Sequence, residues 1–181
     1  MIHMQGIVIL FDGFEEIEAI TAIDVLRRAN INLSAVSLSS SIVEGSHGIK
    51  IVADRKMNEI NTDHYDFLIL PGGSGYKNIL NSRVVHELLN KFNKQGKLIA
   101  SICASSLVLE KAGVLEGKTA TTYPGLEREL SRPRDQKVVF DKNIITSKAP
   151  GTAIDFALKI VEVLLGKLES DRIRMSLVFF G

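Results

Sequence analysis

The tightest constraint on the fold is the stretch Leu98-Ile99-Ala100-Ser101-Ile102, which leads without a break into Cys103-Ala104-Ser105-Ser106-Leu107-Val108-Leu109-Glu110. A short run of this kind, apolar but for the small Ser101, fits a strand covered on both faces. From Ser105 to Ala112 the spacing becomes helical. A strand that turns straight into a helix puts the only cysteine of the chain, Cys103, at a helix N-terminus. There the positive end of the helix dipole favours thiolate over thiol. The expectation is a nucleophile or a redox centre. A free cysteine in an apolar stretch also suits an inert core position, so the neighbouring segments decide between the two.

Those segments repeat the same grammar. Gly6 to Phe11 reads as a first buried strand, ended by Asp12-Gly13. Glu15-Glu16-Ile17-Glu18 opens a helix reaching about Asn30, with Ile20, Ile23 and Leu26 on one face, and Ile31 to Leu38 reads as a second strand. Strand, helix and strand in this order form a βαβ unit and imply a parallel sheet. Ile42 to Ala53, punctuated by Gly45 and Gly48, suggests short strands or a hairpin. Tyr65 to Leu70 is another buried strand, ending at Pro71-Gly72-Gly73-Ser74-Gly75. Val84 to Asn93 has the spacing of an amphipathic helix. Lys118 to Thr122 reads as a strand entering Tyr123-Pro124-Gly125, and residues 137–147 as a strand pair. Pro150-Gly151-Thr152 introduces a long helix to about Leu165 with Gly166 as its C-cap, and Leu168 to Met175 suggests one more. With 181 residues and no linker or repeat, the expectation is one doubly wound α/β domain over 1–181.

Composition closes off other classes. Basic and acidic residues number 22 and 21, giving a net charge of +1, which argues against a nucleic-acid footprint. No run approaches the length of about 18 apolar residues that a membrane span needs. The segment Met1 to Gln5 does not read as a signal peptide. A single cysteine cannot form an internal disulfide or a multi-cysteine zinc site, and suits a reducing cytoplasm.

In such sheets, sites gather beyond the carboxyl ends of the strands. Three features should meet there: Asp12 to Glu18, the glycine turn after Leu70, and Cys103. The glycine turn can present free N–H groups. With the N–H of Ala104 it can form an oxyanion hole, although a plain tight turn gives the same residues. Glu15, Glu16 and Glu18 suit the positive end of their helix as a solvated cluster. One of them facing the strand ends can instead exchange a proton with the thiol, and its pKa should then be raised by burial and like charge. Of the four histidines, His3 is in a tail, His64 lies at the amino end of a strand and His86 is in a helix. His47, in a Ser-His-Gly turn, is the one retained as a partner for the cysteine.

Four segments occur together: Phe11-Asp12-Gly13-Phe14-Glu15-Glu16-Ile17-Glu18, Leu70-Pro71-Gly72-Gly73, Ala100-Ser101-Ile102-Cys103-Ala104, and Pro150-Gly151-Thr152. With Arg27-Arg28 and Ala120-Thr121-Thr122-Tyr123-Pro124 they resemble the ThiJ/PfpI family, in the branch of the Parkinsonism-associated protein deglycase and its bacterial relatives. The resemblance covers nearly the whole chain. It implies a flavodoxin-like doubly wound sandwich, mostly parallel with helices on both faces, and a homodimer. It implies a reactive Cys103 on a strained elbow, a proton-exchanging Glu18, and oxyanion or substrate contacts from Gly72, Gly73, Ala104 and Tyr123. The activities it implies are glutathione-independent glyoxalase, acting on methylglyoxal, or deglycase, acting on glycated proteins or nucleotides, with no metal or organic cofactor. Redox sensing or chaperone activity through the same cysteine is the alternative. The proteolytic branch places histidine directly after the cysteine, whereas Ala104 stands here, which speaks against a peptidase. The deglycase branch often has a histidine near Tyr123; this chain has the tyrosine.

Overall fold

The computed structural model describes residues 4–181; His3 lies outside them. β1 (Gln5–Leu10) leads through α1 (Glu16–Arg28) into β2 (Asn32–Ser37), which lies parallel beside it with Val8 opposite Ala35. The hairpin β3 (Ile42–Glu44) and β4 (Lys50–Val52) stands apart as a two-stranded antiparallel sheet. β5 (Arg55–Lys56) pairs with β2 at one edge of the main sheet. β6 (Phe67–Leu70) then returns to the other side of β1. After α2 (Tyr76–Ile79) and α3 (Arg83–Lys94), β7 (Leu98–Ile102) pairs with β6. α4 (Ser106–Lys111), the antiparallel pair β8 (Val138–Asp141) and β9 (Ile144–Ser147), then α5 (Ala153–Leu165) and α6 (Lys167–Ser176) complete the chain.

The main sheet has the order β5-β2-β1-β6-β7-β9-β8, parallel except for β8. The chain leaves β1 in one direction to reach β2, and in the other to run through β6 and β7. Right-handed crossovers in opposite directions put α1 and α3 on opposite faces. This is the flavodoxin-like α/β sandwich, and its order reverses between β1 and β6. The crevice at that reversal, outside the carboxyl ends of the strands, is where ligands bind in such sheets.

Burial follows from covering both faces. β6 and β7 are buried at every residue, and β1 from Gly6 onward. The α3 stripe of Val85, Leu88, Leu89 and Phe92 is buried, and Ser82 caps the helix by accepting from the Val85 N–H at 3.4 Å. Gly166, at φ +93°, ends α5 and donates to the Glu162 carbonyl at 2.8 Å.

Two expectations fail. In α1 the buried residues are Glu16, Glu18, Ala19, Ala22, Val25 and Leu26, with Ile23 packed partly buried against the core; of the expected apolar face Ile20 alone is exposed, along with Ile17. Small residues let the helix approach the sheet and α5, and Ile17 and Ile20 turn outward. Lys118 to Thr122 is not a strand either. In the main sheet β9 has β7 and β8 as its two neighbours, and this segment pairs with neither β9 nor the other strands of that sheet. Ala120 instead makes an isolated bridge to Pro133, and the Thr121 N–H donates to the Thr146 side chain at 2.9 Å.

Candidate active site

β1, β6 and β7 are neighbours in the sheet, so their carboxyl ends bring three chain segments together. Leu70 is paired with Ser101, which sets the Pro71-Gly72-Gly73 turn beside Ile102-Cys103. Cys103 has φ +63°. That left-handed conformation in a non-glycine residue costs on the order of 1–3 kcal/mol and persists only where the surroundings fix it. Here Thr122 Oγ1 donates to the Cys103 carbonyl at 3.0 Å, and Ser105 Oγ donates to the Pro71 carbonyl at 2.5 Å. The chain then makes one 3-10 turn, Cys103–Ser105, before α4 begins.

The glycines are a steric requirement. A Cβ on Gly72 would meet Cys103 Cβ and Glu18 Oε2, each at 2.6 Å. Gly73 sits at φ +107°, and a Cβ there would overlap the Gly13 carbonyl oxygen and the Glu15 nitrogen. The Glu15 N–H donates to the Gly72 carbonyl at 2.8 Å, which ties the start of α1 to the turn.

Glu18 is fully buried and its Oε2 accepts from the Gly72 N–H at 2.6 Å. Its Oε1 is buried without a hydrogen-bond partner. Burial pushes this carboxyl up to about 8, against the pull of the Gly72 N–H and the Cys103 thiol; the Glu15 charge adds to the rise. Burial, then the Glu18 charge, push the Cys103 thiol up to about 12, against the N–H groups of Ala104 and Gly73. That charge exists only once Glu18 has lost its proton. While the carboxyl is neutral its O–H is a donor beside the sulfur and the like-charge push is absent. Carboxyl and thiol therefore give up their protons as a pair. The helix start alone does not yield a thiolate, as the sequence had suggested: α4 is six residues long and Cys103 is 92 % buried, being 8 % exposed.

Cys103 forms part of the floor of a cleft of about 630 Å³, whose walls include Glu15, His47, Gly73, Ala104 and Tyr123. Gly72 is spent on Glu18, and Tyr123 stands partly exposed at the rim. Ile17, Tyr76, Leu126 and Pro150 give the cleft apolar surface, which suits a small carbonyl compound better than a highly charged ligand.

The sequence profile of the DJ-1/PfpI family matches residues 5–163. The chain belongs to that family. Protein dj-1beta of Drosophila melanogaster is 42 % identical over 180 residues, covering 96 % of each chain. The crystal structure of Drosophila melanogaster DJ-1beta superposes with a TM-score of 0.94 and covers 99 % of this chain and 100 % of that one, at 39 % identity. A glutathione-independent glyoxalase of Caenorhabditis elegans is 36 % identical over 155 residues, covering 84 % of this chain and 83 % of its own. A deglycase of Pyrococcus abyssi is 31 % identical over 166 residues, covering 89 % of this chain and 99 % of its own.

In this DJ-1/PfpI chain the acidic start of α1 is not a solvated cluster. Glu16 is 6 % exposed and accepts from the backbone N–H groups of His47, at 2.7 Å, and Ile49, at 3.4 Å. Its Oε2 lies 2.9 Å from His47 Nδ1, and Glu15 Oε1 lies 3.4 Å from the same nitrogen. Burial opposes the Glu16 charge, but the imidazole and the backbone donors outweigh it and hold the carboxyl below its ordinary value. Burial raises Glu15. These three side chains bring ligand atoms within 4.8 Å of one another, the spacing of a metal site among the described residues. Both Glu16 oxygens already accept hydrogen bonds, so the cluster is complete as an acid–imidazole group. The sequence pointed to His47, presented Glu16 as one member of an acidic cluster suited to a solvated face, and marked Thr122 only as part of the Ala120-Thr121-Thr122-Tyr123-Pro124 segment.

Proposed function

We propose that the protein is a cysteine-dependent enzyme acting on reactive dicarbonyls, of the glyoxalase or deglycase type. The observation that carries this reading is the meeting of Cys103, the Glu18 carboxyl and the Gly73 and Ala104 amides at one sheet end, opening into a partly apolar cleft. The names of the Caenorhabditis elegans and Pyrococcus abyssi relatives support it.

With methylglyoxal, the Cys103 sulfur attacks the aldehyde carbon. In the reacting form the Cys103–Glu18 pair has already lost one of its two protons to solvent; the S–C bond forms, the carbonyl pair moves to oxygen, and the remaining proton, on Glu18, passes to that oxygen. The Gly73 and Ala104 amides stabilise the charge while it develops. Glu18, now a carboxylate, takes the C1 proton of the hemithioacetal and returns it to C2, while the proton of the C1 hydroxyl moves to the C2 oxygen, giving a lactoyl thioester. Water adds its hydroxyl to the acyl carbon and its proton to Glu18, releasing lactic acid and restoring the pair. Turnover of many equivalents of methylglyoxal per protein is the expected result. One oxygenated adduct per chain after peroxide without turnover of methylglyoxal, read by intact mass, identifies a redox sensor or chaperone instead. That second reading draws on the same geometry, because a neutral buried Glu18 can donate to an oxidised sulfur.

We also propose a homodimer. Ile17 and Ile20 on α1, and Ile42, Ile49 and Val52 on the hairpin, are exposed apolar side chains that a second copy would cover. Sedimentation of a monomer at micromolar concentration would refute this. Among the described residues no helix is long and apolar enough to cross a membrane. The lone free thiol suits a reducing compartment, and on that ground we assign the protein to the cytoplasm as a single working domain.

A further inference from the structure

We propose that His47 is the acid–base residue of the cleft, serving the oxygen at C2 of the substrate adduct; this rests on the dicarbonyl reading above. Among the described histidines it is the one that lines the cleft with Cys103. His64 lies before β6, at the amino end of the strand, and the ring of His86, on α3, sits 2.9 Å from the carbonyl of Leu80, which follows α2. The hairpin delivers His47 from outside the main sheet and fixes it there. The Ser46 N–H donates to the Phe14 carbonyl at 2.8 Å, Ser46 Oγ donates to the Gly13 carbonyl at 2.6 Å, and the His47 N–H donates to Glu16 at 2.7 Å. Gly45 has no room for a Cβ because the Glu16 carboxyl lies against it. The turn is thus stapled to the residues that precede and open α1, the same residues that hold Gly73 in place.

The ring is oriented as well as placed. Nδ1 faces the Glu16 carboxylate at 2.9 Å, so that nitrogen carries a proton and Nε2 is left for the cleft. A carboxylate behind an imidazole fixes the tautomer and stabilises the imidazolium. The hydrogen bond to Glu16 comes first in raising the His47 pKa, followed by the charges of Glu15 and Glu16. Those two carboxyls face it from α1; Lys77 shares the cleft, and on the hairpin Lys50 pairs with Glu44 at 3.7 Å.

This supplies the proton that the Cys103–Glu18 pair cannot. When Glu18 removes the C1 proton, the electrons pass through C1–C2 to the C2 oxygen. His47 gives its Nε2 proton to that oxygen and becomes neutral. When C2 is reprotonated by Glu18, the C1 hydroxyl loses its proton to His47 and the C1 carbonyl of the thioester forms. Both residues end as they began.

The test uses the full-length protein and methylglyoxal. His47→Gln should lower kcat about 100-fold with little change in KM. It should regain activity with added imidazole and keep the wild-type rate of Cys103 alkylation by iodoacetamide. Wild-type kcat in His47→Gln overturns the proposal while leaving the dicarbonyl reading intact. Absence of turnover in the wild type overturns both. Equal losses of turnover and alkylation show that His47 acts through the elbow, which also overturns it. Glu16→Gln gives an independent readout. It should lower the His47 pKa followed by NMR and move the alkaline limb of the kcat profile to lower pH by the same amount. A shifted His47 titration with an unmoved limb refutes the role.

Discussion

Cys103→Ser is expected to form no measurable lactate from methylglyoxal, a loss of about a thousandfold or more, while unfolding at nearly the wild-type temperature. The two halves of this result have separate causes. Serine matches cysteine closely in volume, and it inherits the same φ of +63° and the same Thr122 hydrogen bond to its carbonyl, so the elbow remains. The hydroxyl, however, holds its proton far more tightly than a thiol. Glu18, with its own pKa near 8, cannot draw that proton away as the bond to carbon forms. Lactate production near the wild-type rate would place the chemistry outside this cleft. A large fall in thermal stability would mean that the sulfur serves the core and not the cleft.

The second large effect concerns pH. Glu18 has an ordinary value of 4.5 and a folded value of about 8. Between these the folded state holds a proton that the unfolded state has released, so stability falls as pH rises. The Glu18 contribution is complete below about 4.5, declines by up to about 1.4 kcal/mol for each pH unit through the window, and is gone above about 8. Glutamine cannot ionise. The stability curve of Glu18→Gln, from denaturant melts at pH 5, 6, 7 and 8, should therefore lie flatter, with the gain over wild type growing steadily across the series. Parallel curves would show that Glu18 titrates normally in the fold. The same variant should turn over methylglyoxal slowly, since the C1 proton has lost its carrier, and should accumulate less sulfinate under peroxide.

Local pattern made the strands readable. Ile7 to Leu10 and Phe67 to Leu70 are continuous apolar runs, Leu98 to Ile102 is one broken only by the small Ser101, and such runs are what a doubly covered parallel strand requires. The same logic misread Lys118 to Thr122, whose composition suits a strand but whose only ladder contact is the isolated Ala120–Pro133 bridge. Membership of a sheet is settled by competition for an edge, which a local window does not contain. The convergence of Glu18, Gly72 and Cys103 was legible because each follows a buried strand, and topology carries strand ends to one side. Choosing Glu18 over Glu15 and Glu16 rested on family resemblance, as all three share one short acidic segment. The burial of Glu16 was hidden because its partner, His47, is 31 residues away and arrives on a hairpin turn. Cys103 showed the limit of a helix-dipole argument: a six-residue helix is a weak source of charge, and burial acts on the sulfur at full strength.

The edges of the sheet bear on how this protein can associate. β5 is only two residues long, and both, Arg55 and Lys56, are cationic. At the far edge β8 is four residues long and bracketed by Lys137 and Lys142. Short, charged borders offer an incoming strand few backbone partners and force it to desolvate lysines as it docks. Growth of the sheet from one molecule into the next is therefore disfavoured at both ends. A population with a disrupted elbow, or with an oxidised sulfur, should stay dispersed and recoverable instead of being drawn into ordered fibrils. Reversible thermal scans without a rise in thioflavin signal are the physical counterpart of those two blunt borders.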